Sequence, residues 1–379
     1  MQTFSQVRRV PYKRVIPAED EWRVRYGEVV KYGHNQYKLH LNMTCVKLAR
    51  LVNTQVTLSV VDCDSDGYPV LEDGTTIKTA IRVAFDSYQY YDDLFIEKTG
   101  IPLIKVPRNG LVDVLIDINV RKNLRIFKTP DDALYVHKSI MSPLTLEHEC
   151  DECVELDVNS MYGYAMLGKM PYGAYKRFDV NDLSETELAS MLDMLHSEEY
   201  LGFIEVEELA KGDDYLFESL PVMPSPAYFD GIKRGFRYLI KSLMIFEYAD
   251  YILRDAILKV YSLRSVNNDL NIYAKKEIVS FYGRTSKVAM LHRAHPSMSS
   301  PLYLTSFILY RYRAHLMQLI NDTFIDRPTY INVDAVHSTL SNIKSYVHVG
   351  NDIGMFKLSQ VPNRVAHVPR SNEEDSCSD

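Results

Sequence analysis

An α+β fold follows from three features of the chain. Its first part is dominated by short runs of β-branched residues. Its second part carries apolar residues at helical spacing, as in Tyr303 to Ile320. Strands and helices then follow one another without the strict βαβ alternation of a parallel, doubly wound sheet, which favours α+β.

Residues 1–147 read as a β-rich N-terminal domain. Gln55 to Val61, Thr79 to Phe85 and Val112 to Val120 are rich in Val, Ile, Thr and Phe, and turn-forming Asp66-Gly67 and Asp73-Gly74 separate strands. A helical patch is expected around Met43 to Leu51. From Glu149 onward the pattern mixes. Cys153 to Val158 reads as a buried strand, and Tyr200 to Leu209 alternates as another. Lys233 to Leu263 has apolar residues at helical spacing and no proline, which predicts one or two helices. A shorter helix is expected over Leu270 to Tyr282 and a longer one over Tyr303 to Ile320, started after Pro301. Tyr330 to Val333 and Val336 to Leu340 read as the two strands of a hairpin around Asp334. Residues 361–379 end in SNEEDSCSD, an acidic stretch too poor in apolar residues to fold.

The 379 residues are enough for two or three domains with a sizeable core. A net charge of −7 argues against a protein that simply coats DNA, yet an enzyme acting on nucleic acid needs only a basic groove. Five cysteines without framework spacing predict reduced thiols and a cytoplasmic setting. No stretch reaches the roughly 20 apolar residues of a membrane helix, and MQTFSQVRRVPYKR lacks the apolar middle of a signal peptide.

Three strings carry the chemistry: LDVNSMYGYAM (Leu156 to Met166), KKEIVSFYG (Lys275 to Gly283) and YINVDAVHST (Tyr330 to Thr339). The first and third put Asp157 and Asp334 at the ends of apolar, strand-like runs. Mg²⁺ takes hard oxygen ligands, usually one or two carboxylates completed by phosphates and water, so two Asp on adjacent strands suffice. Taken singly, a strand-end Asp is more often a turn residue or a cap, and Asp157 has the spacing of an N-cap with Ser160 at N3. Taken alone, Lys275 reads as a surface lysine; its place in order between the two Asp strings is what makes it a point charge aimed at phosphates.

In this order the strings resemble motifs A, B and C of family B DNA polymerases, most closely the protein-primed subgroup of phages and linear plasmids. The family's motif A, D-x-x-S-L-Y-P, is matched at Asp157, Ser160 and Tyr162. Its motif B, K-x-x-x-N-S-x-Y-G, is matched at Lys275, Ser280, Tyr282 and Gly283. Its motif C, Y-x-D-T-D-S, is matched at Tyr330 and, in the second and metal-binding Asp, at Asp334. Flanking MPYG (Met170 to Gly173), SFILYRYR (Ser306 to Arg313) and DIGMFK (Asp352 to Lys357) extend the similarity over roughly Glu149 to Lys357.

The resemblance implies a polymerase palm over residues 148–360, with an antiparallel sheet, packed helices and reduced fingers at about 230–285. It implies two Mg²⁺ ions, replaceable by Mn²⁺, on Asp157 and Asp334. Val158, Asn159, Ser160 and Met161 would cradle the triphosphate, Tyr162 would lie under the sugar and exclude a 2′-hydroxyl, Lys275 would contact phosphates, and Tyr282 and Gly283 would line the nascent base pair. The partners implied are primer-template DNA, dNTPs and a terminal protein or other replication protein, in the host cytoplasm if the source is viral.

The chain departs from the pattern at Gly163, Val279, Asn332 and Ala335. Only about 20 residues follow Lys357, so little or no thumb is expected, and no Asp-x-Glu on a buried strand marks a proofreading exonuclease. Two readings stand side by side: a compact DNA-directed DNA polymerase without proofreading, and a catalytically inactive palm that serves as a nucleic-acid or protein scaffold. Two further patterns read as decoys. Asp62 to Asp73 has calcium-loop spacing but strand-like flanks, and Cys150 and Cys153 have zinc-ligand spacing without a second pair.

Overall fold

The computed structural model describes residues 8–9, 27–33, 36–41, 57–63, 69–71, 90–102, 110–124, 127–142, 144–147, 153–212, 214, 216–286 and 301–359. The chain divides into two compact units, one of Met1–Leu115 with Leu258–Glu277, the other of Ile116–Ile257 with Ile278–Asp379. This division differs from a boundary at residue 147, because Thr145–Glu147 pairs with Tyr330–Asn332 inside the second unit. The segments Thr79 to Phe85, Met43 to Leu51 and 361–379 lie outside the described residues.

The first unit carries a five-stranded antiparallel sheet in chain order: Arg8–Arg9, Gly27–Gly33, Gln36–Leu41, Thr57–Cys63 and Pro69–Leu71. Thr57–Cys63 pairs with Pro69–Leu71, with Asp62 opposite Val70, so the calcium-like spacing begins inside a paired strand. Downstream the β reading fails. Residues 90–99 are helical, and Val112 to Val120 forms parts of two helices, Leu111–Leu115 and Ile118–Asn123, rather than a strand. The Asp117 side chain accepts from the N–H groups of Asn119 and Val120 and so starts the second helix against the β-branched propensity. Within the same unit the buried Glu277 carboxylate accepts from the N–H groups of Gly110 (3.1 Å) and Leu111 (2.9 Å). Phe95 and Tyr273 pack beside it, ring centroids 5.8 Å apart.

The second unit holds two antiparallel sheets. The four-stranded one runs Val222–Pro224, Gly202–Ala210, Arg237–Asp250, Met170–Asp179. Its central strand corrects the helical reading of Lys233 to Leu263. The helix Ser225–Lys233 stops where Gly235 takes φ +88°, and Arg237–Asp250 then pairs on both sides. The Leu, Ile, Met and Phe residues there fit a helical stripe by spacing, but pairing along both edges buries Leu243, Met244 and Phe246 in the strand form. Helices Glu185–His196 and Ser225–Lys233 cover this sheet through Leu195, Ile204, Met223, Ala227 and Leu243. The first of them starts at a capping box between Ser184 and Glu187.

The five-stranded sheet runs Phe356–Ser359, Cys153–Val158, Ala335–Thr339, Tyr330–Asn332, Thr145–Glu147. Its core face is Leu156, Val158, Ile331, Val336 and Phe356, all buried. The helix Leu302–Thr323 packs in this unit with most of its length buried. Arg313 anchors it, donating to the carbonyls of Ser142 and Leu216 (2.9 Å each) and pairing with Glu218. Cys153 is disulfide-bonded, which corrects the expectation of reduced thiols and removes it as a zinc thiolate. No helix among the described residues is long and apolar enough to cross a membrane.

Two tests of packing follow. Gly202 lies where a Cβ would overlap the Met244 carbonyl of the neighbouring strand. Gly202→Ala should therefore lower unfolding stability by about 2–3 kcal/mol in a urea titration. Burial pushes the Tyr135 and Tyr175 phenols up to about 12. The folded state thus holds these protons more tightly than the unfolded chain. The contribution is complete below about pH 10 and is lost as pH rises through the raised values near 12. Urea midpoints measured across that window should fall, and less steeply in Tyr135→Phe.

Candidate functional site

The site is built on the antiparallel pairing of Cys153–Val158 with Ala335–Thr339. Asp157 stands opposite Ala335, and the Val158 N–H donates to the Asp334 carbonyl at 2.9 Å. Asp157 on its strand and Asp334 in the turn just before Ala335 therefore sit at one end of the sheet. On the other flank Asp157 stands opposite Lys357. Because side chains alternate along strands, Leu156 and Val158 enter the core. Glu155, Asp157, Asn332 and Lys357 share the opposite, partly exposed face.

Asp334 is presented by a two-residue turn. Asn332 pairs with Ala335, leaving Val333 and Asp334 at the tip. Val333 has φ +55°, a conformation that a β-branched residue rarely adopts. Both of its backbone groups are engaged: its N–H donates to the Leu144 carbonyl (3.1 Å), and its carbonyl accepts from the Tyr312 hydroxyl (2.6 Å).

The segment after Asp157 is fixed by the loop before Phe356. Asn159 N–H donates to the Met355 carbonyl, Gly354 N–H donates to the Asn159 carbonyl (both 2.8 Å), and the Asn159 side chain donates to the Gly350 carbonyl (2.9 Å). The N–H groups of Val158 and Asn159 are thus committed within the protein. Ser160, with φ +51°, is the N-cap of the short helix Met161–Ala165, so Asp157 is not that helix's cap. Gly163 occupies the position where a polymerase motif A has proline. A Cβ there would lie 2.8 Å from Ser160 Oγ and 3.2 Å from Ile353 Cδ1, so a larger residue would have to displace these two side chains.

Tyr162 projects from this helix into a stack of three rings. It lies 4.2 Å from Tyr282 (interplanar 20°) and 5.7 Å from Tyr312 (16°). The Tyr162 and Tyr282 hydroxyls are hydrogen-bonded to each other. Burial raises all three phenols, and the Asp334 charge adds to the rise at Tyr162 and Tyr312, which places that carboxylate beside both rings. The three hydroxyls therefore stay neutral at physiological pH.

Lys275 lies in the first unit, whereas Asp157, Tyr162, Tyr282 and Asp334 lie in the second. It is exposed on the helix Asn268–Thr285, which is longer at both ends than its expected bounds. Val279, at the position of the motif B asparagine, is exposed on the same helix. At Gly283 a Cβ would meet nothing within 4 Å. Sequence reasoning missed Tyr312 and Val333. Tyr312 lay inside the quoted helix string, and Val333 inside motif C, but neither residue type is a signal by itself.

The donor set fits Mg²⁺ at its minimum. Two partly exposed carboxylate residues at one sheet end supply hard oxygens, and substrate phosphates and water would complete the shell. Among the described residues no group of three or more His, Cys, Asp or Glu is arranged to hold a metal by itself.

No protein-family model and no curated protein matches the chain. Among solved structures the chain is similar to Phi29 DNA polymerase. The complex of that enzyme with primer-template DNA and incoming nucleotide gives a TM-score of 0.47 at 15% identity, covering 83% of this chain and 62% of that one. The binary complex with primer-template DNA gives 0.47 at 16%, covering 82% and 62%. The complex with single-stranded DNA gives 0.45 at 15%, covering 83% and 62%. The chain thus spans less than two thirds of the length of the polymerase chains it is similar to.

Proposed function

We propose that this chain carries out template-directed DNA synthesis by nucleotidyl transfer from dNTPs, without proofreading, in the replication of a phage or other mobile element. The observation that carries this reading is the strand pairing that sets Asp157 near Asp334, with Tyr162 and Tyr312 stacked beside Asp334. In the reaction the primer 3′-oxygen bonds to the α-phosphorus, the bond to the β-phosphate bridge breaks, pyrophosphate leaves, and the hydroxyl proton passes to water. Such transfer asks the protein mainly for positioning and charge neutralisation. Asp157 and Asp334 would hold Mg²⁺, which when bound lowers the cost of charge on the attacking and leaving oxygens.

The chain's own groups supply the rest. Tyr162, held flat by Tyr282 and Tyr312, presents a rigid ring under the sugar of an incoming nucleotide and leaves no room for a 2′-hydroxyl. With Val158 and Asn159 tied into the sheet and loop, the N–H groups that follow them are the ones available to a triphosphate. Lys275, exposed on the helix Asn268–Thr285, is the residue this reading assigns to the phosphates as a point charge. The partners this reading implies are primer-template DNA and a terminal protein or another replication protein.

A second reading, an inactive palm acting as a scaffold, is favoured by Asn332, Ala335 and Val279, all on the motifs themselves. The two readings separate in one assay. Mg²⁺- or Mn²⁺-dependent dNTP incorporation on primed template, with protein primers included, should be measurable in the wild type. It should fall on the order of 10³-fold or more in Asp157→Ala and Asp334→Ala, since each removes several kcal/mol of charge stabilisation. A wild type inactive with every primer, and biological function intact after double Asp→Asn substitution, would establish the scaffold instead. In the active protein Tyr162→Ala should raise rNTP incorporation relative to dNTP in competition assays. Unchanged discrimination would remove Tyr162 from that role.

A further inference from the structure

We propose that Tyr312 is the positioning residue for Asp334, holding the turn that presents this carboxylate and tying it to the tyrosine stack. The proposal rests on the reading of Asp334 as a metal ligand. Tyr312 is fully buried on the helix Leu302–Thr323. A buried phenol needs a hydrogen-bond partner. Any nearby carbonyl would serve that need. The one used, at 2.6 Å, belongs to Val333, the residue immediately before Asp334.

Val333 is the residue that needs holding. It is β-branched, it sits at φ +55°, and it forms half of a two-residue turn. Such a conformation persists only where the surroundings over-determine it. Here Leu144 fixes the N–H from one side, at 3.1 Å, and Tyr312 fixes the carbonyl from the other. The backbone of Leu144 also hydrogen-bonds the Tyr312 hydroxyl, so the three residues close a ring of hydrogen bonds under the turn. The Val158 N–H then takes the next carbonyl, that of Asp334 itself.

Tyr312 is also fixed from its own side. Arg313, its neighbour, anchors the helix to Ser142, Leu216 and Glu218. Its ring lies nearly parallel to that of Tyr162. One side chain therefore connects the palm helix, the nucleotide-facing tyrosine and the Asp334 turn.

The test is Mn²⁺ binding to the full chain, followed by electron paramagnetic resonance, with dNTP incorporation recorded in parallel. Tyr312→Phe keeps the ring stack and removes only the hydroxyl. It should weaken Mn²⁺ binding about 10-fold, as the loss of a ligand-orienting partner does, while rNTP/dNTP discrimination stays unchanged. Val333→Asn should restore most of that affinity in the double variant, because Asn adopts the left-handed conformation without the Val333 strain. A merely structural tyrosine would not be rescued this way. Wild-type Mn²⁺ affinity in Tyr312→Phe, or no recovery in the double variant, overturns the proposal. If Tyr312→Phe does not fold, a folded double variant supports the proposal and an unfolded one overturns it. A wild type that binds Mn²⁺ but incorporates nothing removes the polymerase reading, and the Mn²⁺ series still decides the role of Tyr312. A wild type that binds no Mn²⁺ overturns both.

Discussion

The hydrogen bond from the Val158 N–H to the Asp334 carbonyl fixes the register of two strands that are far apart in sequence. A slip of one residue in that pairing would turn Leu156 and Val158 to solvent and Asp157 into the core. Burial of Leu156, Val158, Val336 and Phe356 therefore specifies where Asp157 stands, and the same register places Asp334 at the adjacent hairpin tip. The apolar face gives the sheet its stability. The polar face, with Asp157 flanked by Lys357 and Ala335, inherits its geometry from that packing.

Around this pairing the molecule places rigid, over-determined pieces. Val333 and Ser160 both take left-handed conformations unusual for their residue types, Val333 immediately before Asp334 and Ser160 three residues after Asp157. Each is held by its neighbours: Val333 by Leu144 and Tyr312, and the segment of Ser160 by the Asn159 contacts to Gly350, Gly354 and Met355. Strain of this kind gathers where a side chain must be aimed. The tyrosine stack adds a second constraint, since three flat rings from two helices and a helical turn cannot shift independently.

Much of this was legible in the sequence because alternation and order are strong signals. Cys153 to Val158, the hairpin around Asp334 and the long helix after Pro301 all form within a few residues of their expected bounds. What was illegible had physical reasons. Arg237–Asp250 satisfies a helical spacing by chance, and only its pairing on both edges decides for the strand. Val112 to Val120 has strand propensity that the Asp117 cap and the burial of Leu111 and Val112 override. Tyr312 and Val333 were out of reach because their importance lies in one contact between distant segments. The departures at Gly163 and Asn332 read alike in sequence. In the fold the first packs against the Ser160 and Ile353 side chains, while the second leaves an exposed amide in the hairpin stem beside Asp334.

The central claim is that Asp157 and Asp334 together form a metal site for a nucleotide. It is tested most directly by anomalous diffraction from crystals of the full chain grown with Mn²⁺ and a dNTP. The account predicts an anomalous peak bound by both carboxylates, with the nucleotide's phosphates completing the shell and its sugar against Tyr162. A peak elsewhere, or none at these two residues with nucleotide bound, would contradict it.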